Sequence, residues 1–294
     1  MDYLTVSEIA KRWGLSERSV RNYCNQGRVF GATLKGKTWM IPNDAIKPKR
    51  PSKKKSFLDI LKEERKVKLK GGIYHKVQIE LTYNSNHIEG SSLTYEQTRY
   101  IYETNTLGLV GEAVNVDDIV ETANHFNCVD LIIDKANFNI SEKLIKELHQ
   151  ILKSGTSASR ESWFIVGDYK KLPNEAGGVK TTKPENVQKE IKVLLDWYNR
   201  LETKTIQDII EFHYRFEIIH PFQDGNGRVG RLLMFKECLK HNIVPFIIDE
   251  ALKMFYYRGL KEWKKEKGYL LDTCLSAQDK FKTYLDYFRI EYNK

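Results

Sequence analysis

Apolar residues recur every three or four positions along most of the chain from Phe57 onward. This spacing is typical of the buried face of an amphipathic helix, so it predicts a mainly α fold for this part of the chain. The predicted helical segments are residues 56–69, 74–89, 117–134, 141–153, 185–201, 205–219, 230–240, 251–266 and 276–292.

The N-terminal residues follow a different pattern. Thr5 and Glu8 have the spacing of a capping box at the start of a short helix, and Ser16 is placed to cap a second one. Two strand-like runs flank residues 35–37 and predict a hairpin. This order resembles the winged helix-turn-helix of the excisionase and MerR-like family over roughly residues 3–47, whose second helix enters the major groove of DNA.

The net charge of +9 lies in this N-terminal part. Residues 1–56 contain 13 basic and 4 acidic residues, whereas residues 57–294 contain 35 of each. A basic module attached to a neutral body is typical of nucleic-acid binding, although a protein-interaction module with solvated arginines is the alternative. The side chains predicted to contact DNA are those of Arg18, Arg21 and Lys37.

The same shifts in composition predict the domain organisation. A winged helix-turn-helix domain at residues 1–46 is followed by a linker at residues 47–56, which is rich in lysine and proline and has no periodicity. The helical domain occupies residues 57–294.

Cysteine usage and the N-terminus indicate the compartment. The four cysteines form no C-x-x-C pair, which argues against a zinc site or a disulfide framework and fits a reducing environment. The chain starts without the basic and apolar regions of a signal peptide, and no apolar run approaches the ~18 residues of a membrane span. We therefore expect a cytoplasmic protein with no membrane partner. Six histidines lack metal-ligand spacing and are expected to be structural: His75, His87, His125, His149, His213 and His241.

Two glycine patterns match nucleotide-binding motifs in the wrong context. Residues 31–38 fit the P-loop pattern, but a strand stopped by Pro42 follows where a P-loop needs a helix. Residues 225–230 fit G-x-G-x-x-G, with Glu250 about 20 residues later, as in a Rossmann fold. Only helical segments follow Glu250, however, so the further strands of a dinucleotide-binding sheet are missing.

The stretch HPFQDGNGRVGR, residues 220–231, predicts an anion-binding loop. Gly225 and Gly227 allow the backbone to turn its N–H groups toward one point. Arg228 and Arg231 lie in the next helix, three residues apart. Two arginines at a helix N-terminus are unfavourable, because their charge has the same sign as that end of the helix dipole. Binding of a polyphosphate with several negative charges would compensate them.

The same stretch contains the groups needed for proton transfer and metal binding. Pro221 disfavours helical geometry in His220, so the preceding helix should end there and leave the imidazole at the mouth of the loop. His220 is the one group of the stretch that can accept a proton near neutral pH. Asp224 would lie among phosphate oxygens, where a carboxylate is tolerated only with a cation such as Mg²⁺.

These residues resemble the signature of Fic-domain adenylyltransferases, H-P-F-x-[D/E]-G-N-[G/K]-R-x-x-R, with every fixed position filled. The resemblance extends over most of residues 57–294 and implies an all-helical Fic domain with a β-hairpin flap. It also implies an enzyme that transfers AMP from ATP to a hydroxyl group of a protein side chain and releases pyrophosphate. Glycine at position 227, where phosphorylating relatives typically carry lysine, favours adenylylation.

The resemblance assigns roles to individual residues. His220 would deprotonate the attacking hydroxyl, and Asp224 would hold Mg²⁺ on the α- and β-phosphates. Asn226 and the loop N–H groups would bind the α-phosphate, and the two arginines would bind the β- and γ-phosphates. The implied ATP-binding set is Asp224, Gly225, Asn226, Gly227, Arg228, Val229, Gly230, Arg231 and Tyr257.

Residues 85–90 resemble the inhibitory pattern of the family, [S/T]-x-x-x-E-[G/N], filled here by Ser85, Glu89 and Gly90. Glu89 should end a helix over about residues 75–90, and a carboxylate at a helix C-terminus is disfavoured unless a cation compensates it. Arg231 is the predicted partner. The resemblance therefore implies inhibition within the chain, and in some relatives the equivalent carboxylate instead removes AMP from the modified target.

Residues 167–187 resemble the flap of the family, a hairpin that pairs with an extended target segment by strand addition. Relatives contact nucleotide or target at the positions of Asn174, Glu175, Ala176 and Gly177. Lys170 departs from the family, in which an arginine is common. Tyr256 and Tyr257 match an aromatic pair near the adenine, although Lys264 replaces an asparagine often found seven residues later.

Three interpretations remain open from the sequence. The first is an autoinhibited adenylyltransferase that uses ATP and Mg²⁺ and carries a DNA-binding domain. The second is a DNA-binding regulator whose Fic-like body only senses nucleotide, against which the intact His220 argues. The third is a Rossmann-type oxidoreductase, against which the helical C-terminal part argues. The target protein, the DNA sequence bound and the oligomeric state, including a homodimer, are left open.

Overall fold

The computed structural model describes residues 2–49, 55–108 and 113–292. The chain folds as two compact units, Met1–Lys54 and Lys55–Lys294. Residues 50–54 of the predicted basic linker lie outside the described residues. In the described part of the chain, none of the helices is both long enough and apolar enough to cross a lipid bilayer.

The N-terminal unit contains two short helices and a three-stranded antiparallel sheet. Thr5 and Glu8 form the expected capping box, and Gly14 ends the first helix in the left-handed conformation. The first strand was not predicted, because only two residues pair with the last strand. The elements are β1 Tyr3–Leu4, α1 Val6–Trp13, α2 Glu17–Asn25, β2 Thr33–Lys35 and β3 Thr38–Pro42, with the sheet order β1-β3-β2.

The second unit is helical, so the predicted mainly α fold is confirmed. Its helices are α3 Phe57–Lys66, α4 Ile73–Ile88, α5 Tyr95–Thr104, α6 Val116–Asp134, α7 Glu142–Lys153, α8 Pro184–Arg200, α9 Ile206–Ile219, α10 Asn226–Lys240, α11 Glu250–Glu262 and α12 Gly268–Tyr287. The sequence pattern missed α5, placed the start of α12 eight residues late and extended that helix beyond Tyr287, where it ends.

Helix α10 lies at the centre of the helical unit. Every residue from Asn226 to Leu239 is buried, since α4, α6, α7 and α9 surround it. A helix that is buried on all sides shows no amphipathic stripe, which explains why the apolar pattern indicated only its part from Gly230 onward. The N-terminus of this central helix is where the glycine- and arginine-rich loop arrives.

A small hairpin precedes α8. Its strands, β4 Glu175–Ala176 and β5 Val179–Lys180, contain two residues each and pair antiparallel. Gly177 and Gly178 form the turn with φ of 56° and 77°, a conformation that favours glycine at both positions. The paired part of the predicted flap therefore covers only residues 175–180 of 167–187.

Candidate active site at the N-terminus of the central helix

His220 ends α9 in the left-handed conformation, with φ of 50° and ψ of 64°. Its Nδ1 atom donates to the carbonyl oxygen of Glu217 at 3.3 Å, which leaves Nε2 as the proton acceptor. Burial, together with the nearby Lys170 ammonium, lowers the pKa of His220 to about 4. The imidazole is therefore neutral at pH 7 and able to take up a proton.

The loop after His220 is fixed by its own side chains. The Asn226 side chain accepts from the Phe222 N–H at 2.8 Å and donates to the Phe222 carbonyl at 2.8 Å. The Phe222 ring stacks on His149, with ring centroids 3.9 Å apart. Gly225 then starts α10 with φ of 81°. The first N–H groups of α10 have no partner within the helix and form an anion-binding terminus.

Arg228 lies in a buried cluster of four charges. Its Nη1 atom contacts Glu121 Oε2, and its Nη2 atom lies 3.3 Å from Asp224 Oδ2. Lys153 is 3% exposed and connects the same two carboxylates, with Nζ in contact with Glu121 Oε1 and 2.6 Å from Asp224 Oδ2. Two cations and two anions therefore balance one another below the loop.

Asp224 has the properties of a magnesium ligand. Burial alone would raise the pKa of Asp224, but Arg228 and Lys153 overcome that effect and hold the pKa well below its ordinary value. Its side chain is still about half exposed, with a relative accessibility of 53%. Among the described residues no group of three or more His, Cys, Asp or Glu could hold a metal ion. A Mg²⁺ ion at Asp224 would therefore take its other ligands from nucleotide phosphates and water.

Arg231 contacts the end of α4, as the sequence predicted. Its Nη2 atom lies 2.7 Å from Glu89 Oε1, and its Nε and Nη2 atoms donate to the side chain and the carbonyl of Ser85 at 3.0 and 2.8 Å. A Cβ atom added to Gly227 would lie 2.2 Å from Glu89 Oε1. The Glu89 carboxylate thus lies against the first turn of α10, where an anion is favoured. Gly90 follows with φ of 97° and ends the helix.

Three of the predicted ATP-binding positions are buried and packed against other residues. The Asn226 amide is 1% exposed and uses both polar ends on Phe222, so only its backbone N–H remains for a phosphate. Val229 is fully buried in the apolar core. A Cβ atom on Gly230 would lie 2.7 Å from Glu217 and His213, so this glycine allows close packing with α9. These three positions shape the loop and the helix beneath it.

The aromatic pair of α11 divides between the core and the surface. Tyr256 is 1% exposed and its hydroxyl lies 2.7 Å from His213 Nε2, so its ring is part of the core. Tyr257 is 40% exposed and donates to the carbonyl of Ile88 at 3.1 Å. Tyr257 therefore remains a candidate for nucleotide contact, beside the residue that precedes Glu89.

Asn174 is the predicted flap residue that contacts the catalytic loop. Asn174 donates to the carbonyl of Phe222 at 2.9 Å. Glu175 and Gly177 are exposed, and Ala176 pairs through its backbone with Val179. Lys170 is buried and contacts Asn174. The exposed edge of the hairpin is available for strand addition.

Sequence reasoning missed three charged residues of the site. Glu121 and Lys153 were not singled out, although each continues the buried face of its helix, at the helical spacing from His125 and His149. A charged residue within an apolar stripe is the signal that could have identified them. The third missed residue is Glu217. Its Oε2 atom lies 3.7 Å from His220 Nδ1. Burial and the nearby Glu89 raise the pKa of Glu217 to about 8.

The side chains predicted to bind DNA are exposed on the N-terminal unit. Arg18 and Arg21 lie on α2, where Arg21 forms a 2.6 Å ion pair with Glu17. Lys37 is exposed directly after Gly36, the turn of the hairpin. The second helix and the hairpin tip thus both present basic side chains to solvent.

Comparison with known proteins agrees with this geometry. The Fic/DOC family matches residues 139–238, and a helix-turn-helix domain family matches residues 3–47. A Caenorhabditis elegans protein named protein adenylyltransferase fic-1 is 30% identical over 195 residues, or 60% of this chain. The match spans only 35% of that relative's own length.

Solved structures show the same fold. A Fic-domain-containing signaling protein from Bacteroides thetaiotaomicron superposes with a TM-score of 0.63 and 24% identity, covering 81% of this chain and 99% of that one. Residues 134–508 of C. elegans Fic-1 superpose with a TM-score of 0.61 and 20% identity, covering 79% and 72%. Residues 139–238 therefore match the Fic/DOC family, residues 3–47 match a helix-turn-helix domain family, and the fold is that of solved Fic proteins.

Proposed function

We propose that this chain is a protein adenylyltransferase that moves AMP from ATP to a hydroxyl group of a protein side chain. The observation that carries the proposal is the arrangement of the loop from His220 to Arg231. It combines a neutral imidazole, an ionised carboxylate and the anion-binding terminus of α10. The similarity to proteins named protein adenylyltransferases supports the same reaction.

The residues of the loop divide the chemistry among them. His220 Nε2 accepts the proton of the attacking hydroxyl, while the Glu217 carbonyl holds Nδ1–H and so orients the ring. Arg231 and the first N–H groups of α10 bind phosphate oxygens. Asp224 would hold a Mg²⁺ ion, which neutralises phosphate charge when bound. The hydroxyl oxygen bonds to the α-phosphorus, and the bond to pyrophosphate breaks.

Glu89 restrains this reaction in the proposed mechanism. Its carboxylate is paired with Arg231 and lies against Gly227, so it occupies a position that suits a phosphate of ATP. ATP then binds with its reacting phosphorus displaced from in-line attack. A displacement of about 1 Å can lower a rate by ~10²-fold, so partial distortion is enough to silence the enzyme.

Labelled ATP tests the reaction directly. The Glu89→Gly protein is incubated with a lysate of its host and with ATP labelled at either the α- or the γ-phosphate. Label from the α-phosphate should appear on protein, and the Glu89→Gly/His220→Ala double variant should not transfer it. Transfer of the γ-label would instead indicate phosphorylation and contradict the proposal.

For the N-terminal unit we propose binding to duplex DNA. The supporting observations are its match to a helix-turn-helix family and its exposed basic side chains at α2 and the hairpin tip. Arg18, Arg21 and Lys37 are replaced together by alanine. The slope of the logarithm of DNA affinity against the logarithm of salt concentration should then become shallower by about one for each phosphate that is no longer neutralised. Gel shifts of the full chain at several salt concentrations measure this, with Lys192→Ala on α8 as the control. An unchanged salt dependence would indicate that these side chains do not contact DNA.

A further inference from the structure

The flap hairpin is too small to hold its own position. Each strand has two residues, and an isolated two-stranded hairpin is only marginally stable in water. Its two ends meet at Asn174 and Thr181, where the Thr181 hydroxyl lies 3.0 Å from the Asn174 carbonyl and 2.6 Å from its side-chain oxygen. What fixes this base to the rest of the domain therefore decides where the flap lies.

Lys170 and Asn174 both join the base of the flap to the catalytic loop, Asn174 through the carbonyl of Phe222. The Lys170 Nζ atom donates to Asn174 Oδ1 and to Thr181 Oγ1, both at 2.6 Å. The same ammonium lies 3.4 Å from the carbonyl of Ile219, the residue before His220. The Lys170 backbone N–H donates to the carbonyl of Pro221, the residue after His220, at 2.9 Å.

The chemistry of this ammonium is unusual for a lysine. It is 4% exposed, and its three partners are neutral oxygens. Burial lowers the pKa of Lys170 to about 8, so the group is still mostly charged at pH 7. A buried charge is costly unless it is fully hydrogen-bonded, and an ammonium has three hydrogens for three acceptors. An apolar side chain would fill this space without that cost, so packing alone does not account for a lysine.

We propose that Lys170 is a positioning residue that fixes the flap to the catalytic loop. The ammonium connects both ends of the hairpin to the carbonyl next to His220, so a target strand added to the flap is held in a defined position relative to the imidazole. The role in catalysis rests on the proposed function, whereas the attachment of the flap does not. An arginine has five N–H donors and can serve the same acceptors.

Hydrogen exchange measured by mass spectrometry tests the attachment on the full chain without ligand at pH 7. Lys170→Met keeps the length of the side chain but removes its donors. We expect exchange of the segment from residues 171 to 182 to become ~10-fold faster or more, as expected for the loss of one charge-assisted hydrogen bond. Exchange in α8, directly after the flap, should not change. Lys170→Arg should restore slow exchange to within about threefold of the wild type.

Two results would overturn the proposal. Unchanged exchange of the flap in Lys170→Met would show that other contacts hold it. Equal acceleration in Lys170→Met and Lys170→Arg would assign the effect to packing of the lysine chain. If Lys170→Met does not fold, Lys170→Gln replaces it, because its shorter chain carries neutral donors and loses the charge-assisted hydrogen bonds. Faster exchange of the same segment in Lys170→Gln supports the attachment, and unchanged exchange contradicts it.

Measuring AMP transfer in the same variants distinguishes failure of this inference from failure of the proposed function. In the Glu89→Gly background, Lys170→Met should lower transfer to protein ~10-fold, and Lys170→Arg should restore it. If no variant transfers AMP but exchange follows the expected pattern, the proposed function fails and the attachment stands. If transfer is observed but Lys170→Met does not lower it, the positioning role fails.

Discussion

Arg228 and Arg231 lie three residues apart in the first turns of α10, and each side chain is 5% exposed. Their surroundings nevertheless differ. Arg228 contacts two carboxylates, those of Glu121 and Asp224, and Lys153 contacts the same two. Arg231 faces the end of α4, where a single carboxylate balances its charge.

The two carboxylate partners differ in how firmly they are held. Glu121 lies within α6, is 9% exposed and contacts two cations. Glu89 caps the C-terminus of α4, with a side chain that is 29% exposed, and is followed by Gly90 in the left-handed conformation. A partner within a packed helix is part of the fold, whereas a partner at a partly exposed helix end can leave. The same residue type can therefore support the fold at one position and, in the proposed mechanism, bind phosphate at the next turn.

The largest expected effect separates the two pairs by stability. Glu121→Gln should lower the free energy of unfolding by about 3–5 kcal/mol, because Arg228 and Lys153 would share only one remaining anion. Glu89→Gln should lower it less, by about 1–2 kcal/mol, because Glu89 is the partly exposed partner and, without its charge, the nearby Glu217 can ionise and compensate Arg231. Urea unfolding of the helical unit within the full chain at pH 7 measures both. Equal losses would remove the distinction between the pairs.

Arg231 should matter for activity only after Glu89 is removed. Glu89→Gly is expected to raise AMP transfer ~100-fold. Adding Arg231→Ala should abolish this gain, because the cation that binds phosphate is removed with the arginine. Arg215→Ala on α9 serves as the control, since this arginine is paired with Glu211 away from the loop. Retention of the gain in the Arg231→Ala variant would show that the arginine does not bind the nucleotide.

Acid should lower the folding stability of the helical unit, because buried histidines beside the two arginines must take up protons when the chain unfolds. Burial, with Arg228 and Arg231 nearby, lowers the pKa of His125 to about 3, and burial with Arg231 does the same for His213. Between pH 6.5 and 3 the unfolded chain therefore binds more protons than the folded chain, so stability falls as pH falls. Each histidine should cost about 2 kcal/mol between pH 7 and pH 5. Urea unfolding at the two pH values, compared between wild type and the His125→Gln and His213→Gln variants, isolates these two contributions. An equal pH dependence in wild type and variants would contradict these pKa directions.

The smallest expected effect concerns the pH profile of catalysis. Three charged groups act on the pKa of His220: Lys170 near the flap, Glu89 at the end of α4 and Asp224 in the loop. The backbone carbonyl of Glu217 on α9 also acts on it, by accepting the Nδ1–H hydrogen bond. Burial lowers the pKa of His220 most, and the Lys170 ammonium lowers it further. Lys170→Met should therefore raise the pH below which AMP transfer declines, by up to about one unit, whereas Lys170→Arg should not. An identical profile in both variants would show that the ammonium has no electrostatic effect on the imidazole.

Local sequence signals predicted most elements of the fold. Capping pairs such as Thr5 with Glu8 and Thr205 with Asp208 occur where helices begin. Helix α5 was missed because its apolar residues form no clear stripe, although Thr94 and Gln97 have the capping-box spacing that could have indicated it. Pro221 correctly predicted the end of α9 at His220.

The site was only partly predictable, for a physical reason. The signature named the residues of one continuous loop, and the ion pair of Glu89 with Arg231 followed from a helix end that needed a cation. The contact of Arg228 with Glu121 joins residues 107 positions apart, and no local pattern encodes such a distance. The inward orientation of Val229 likewise depends on how α10 packs, which an all-buried helix does not reveal in its sequence.

The initial rate of AMP transfer tests the central claim that Glu89 restrains the site. Wild type and Glu89→Gly are compared with α-labelled ATP and the same protein target, at times so early that removal of AMP cannot contribute. The account predicts a rate ~10²-fold higher in the Glu89→Gly variant, because Arg231 is then free to bind phosphate. Equal initial rates in the two proteins would contradict it and show that the ion pair between Glu89 and Arg231 does not control transfer.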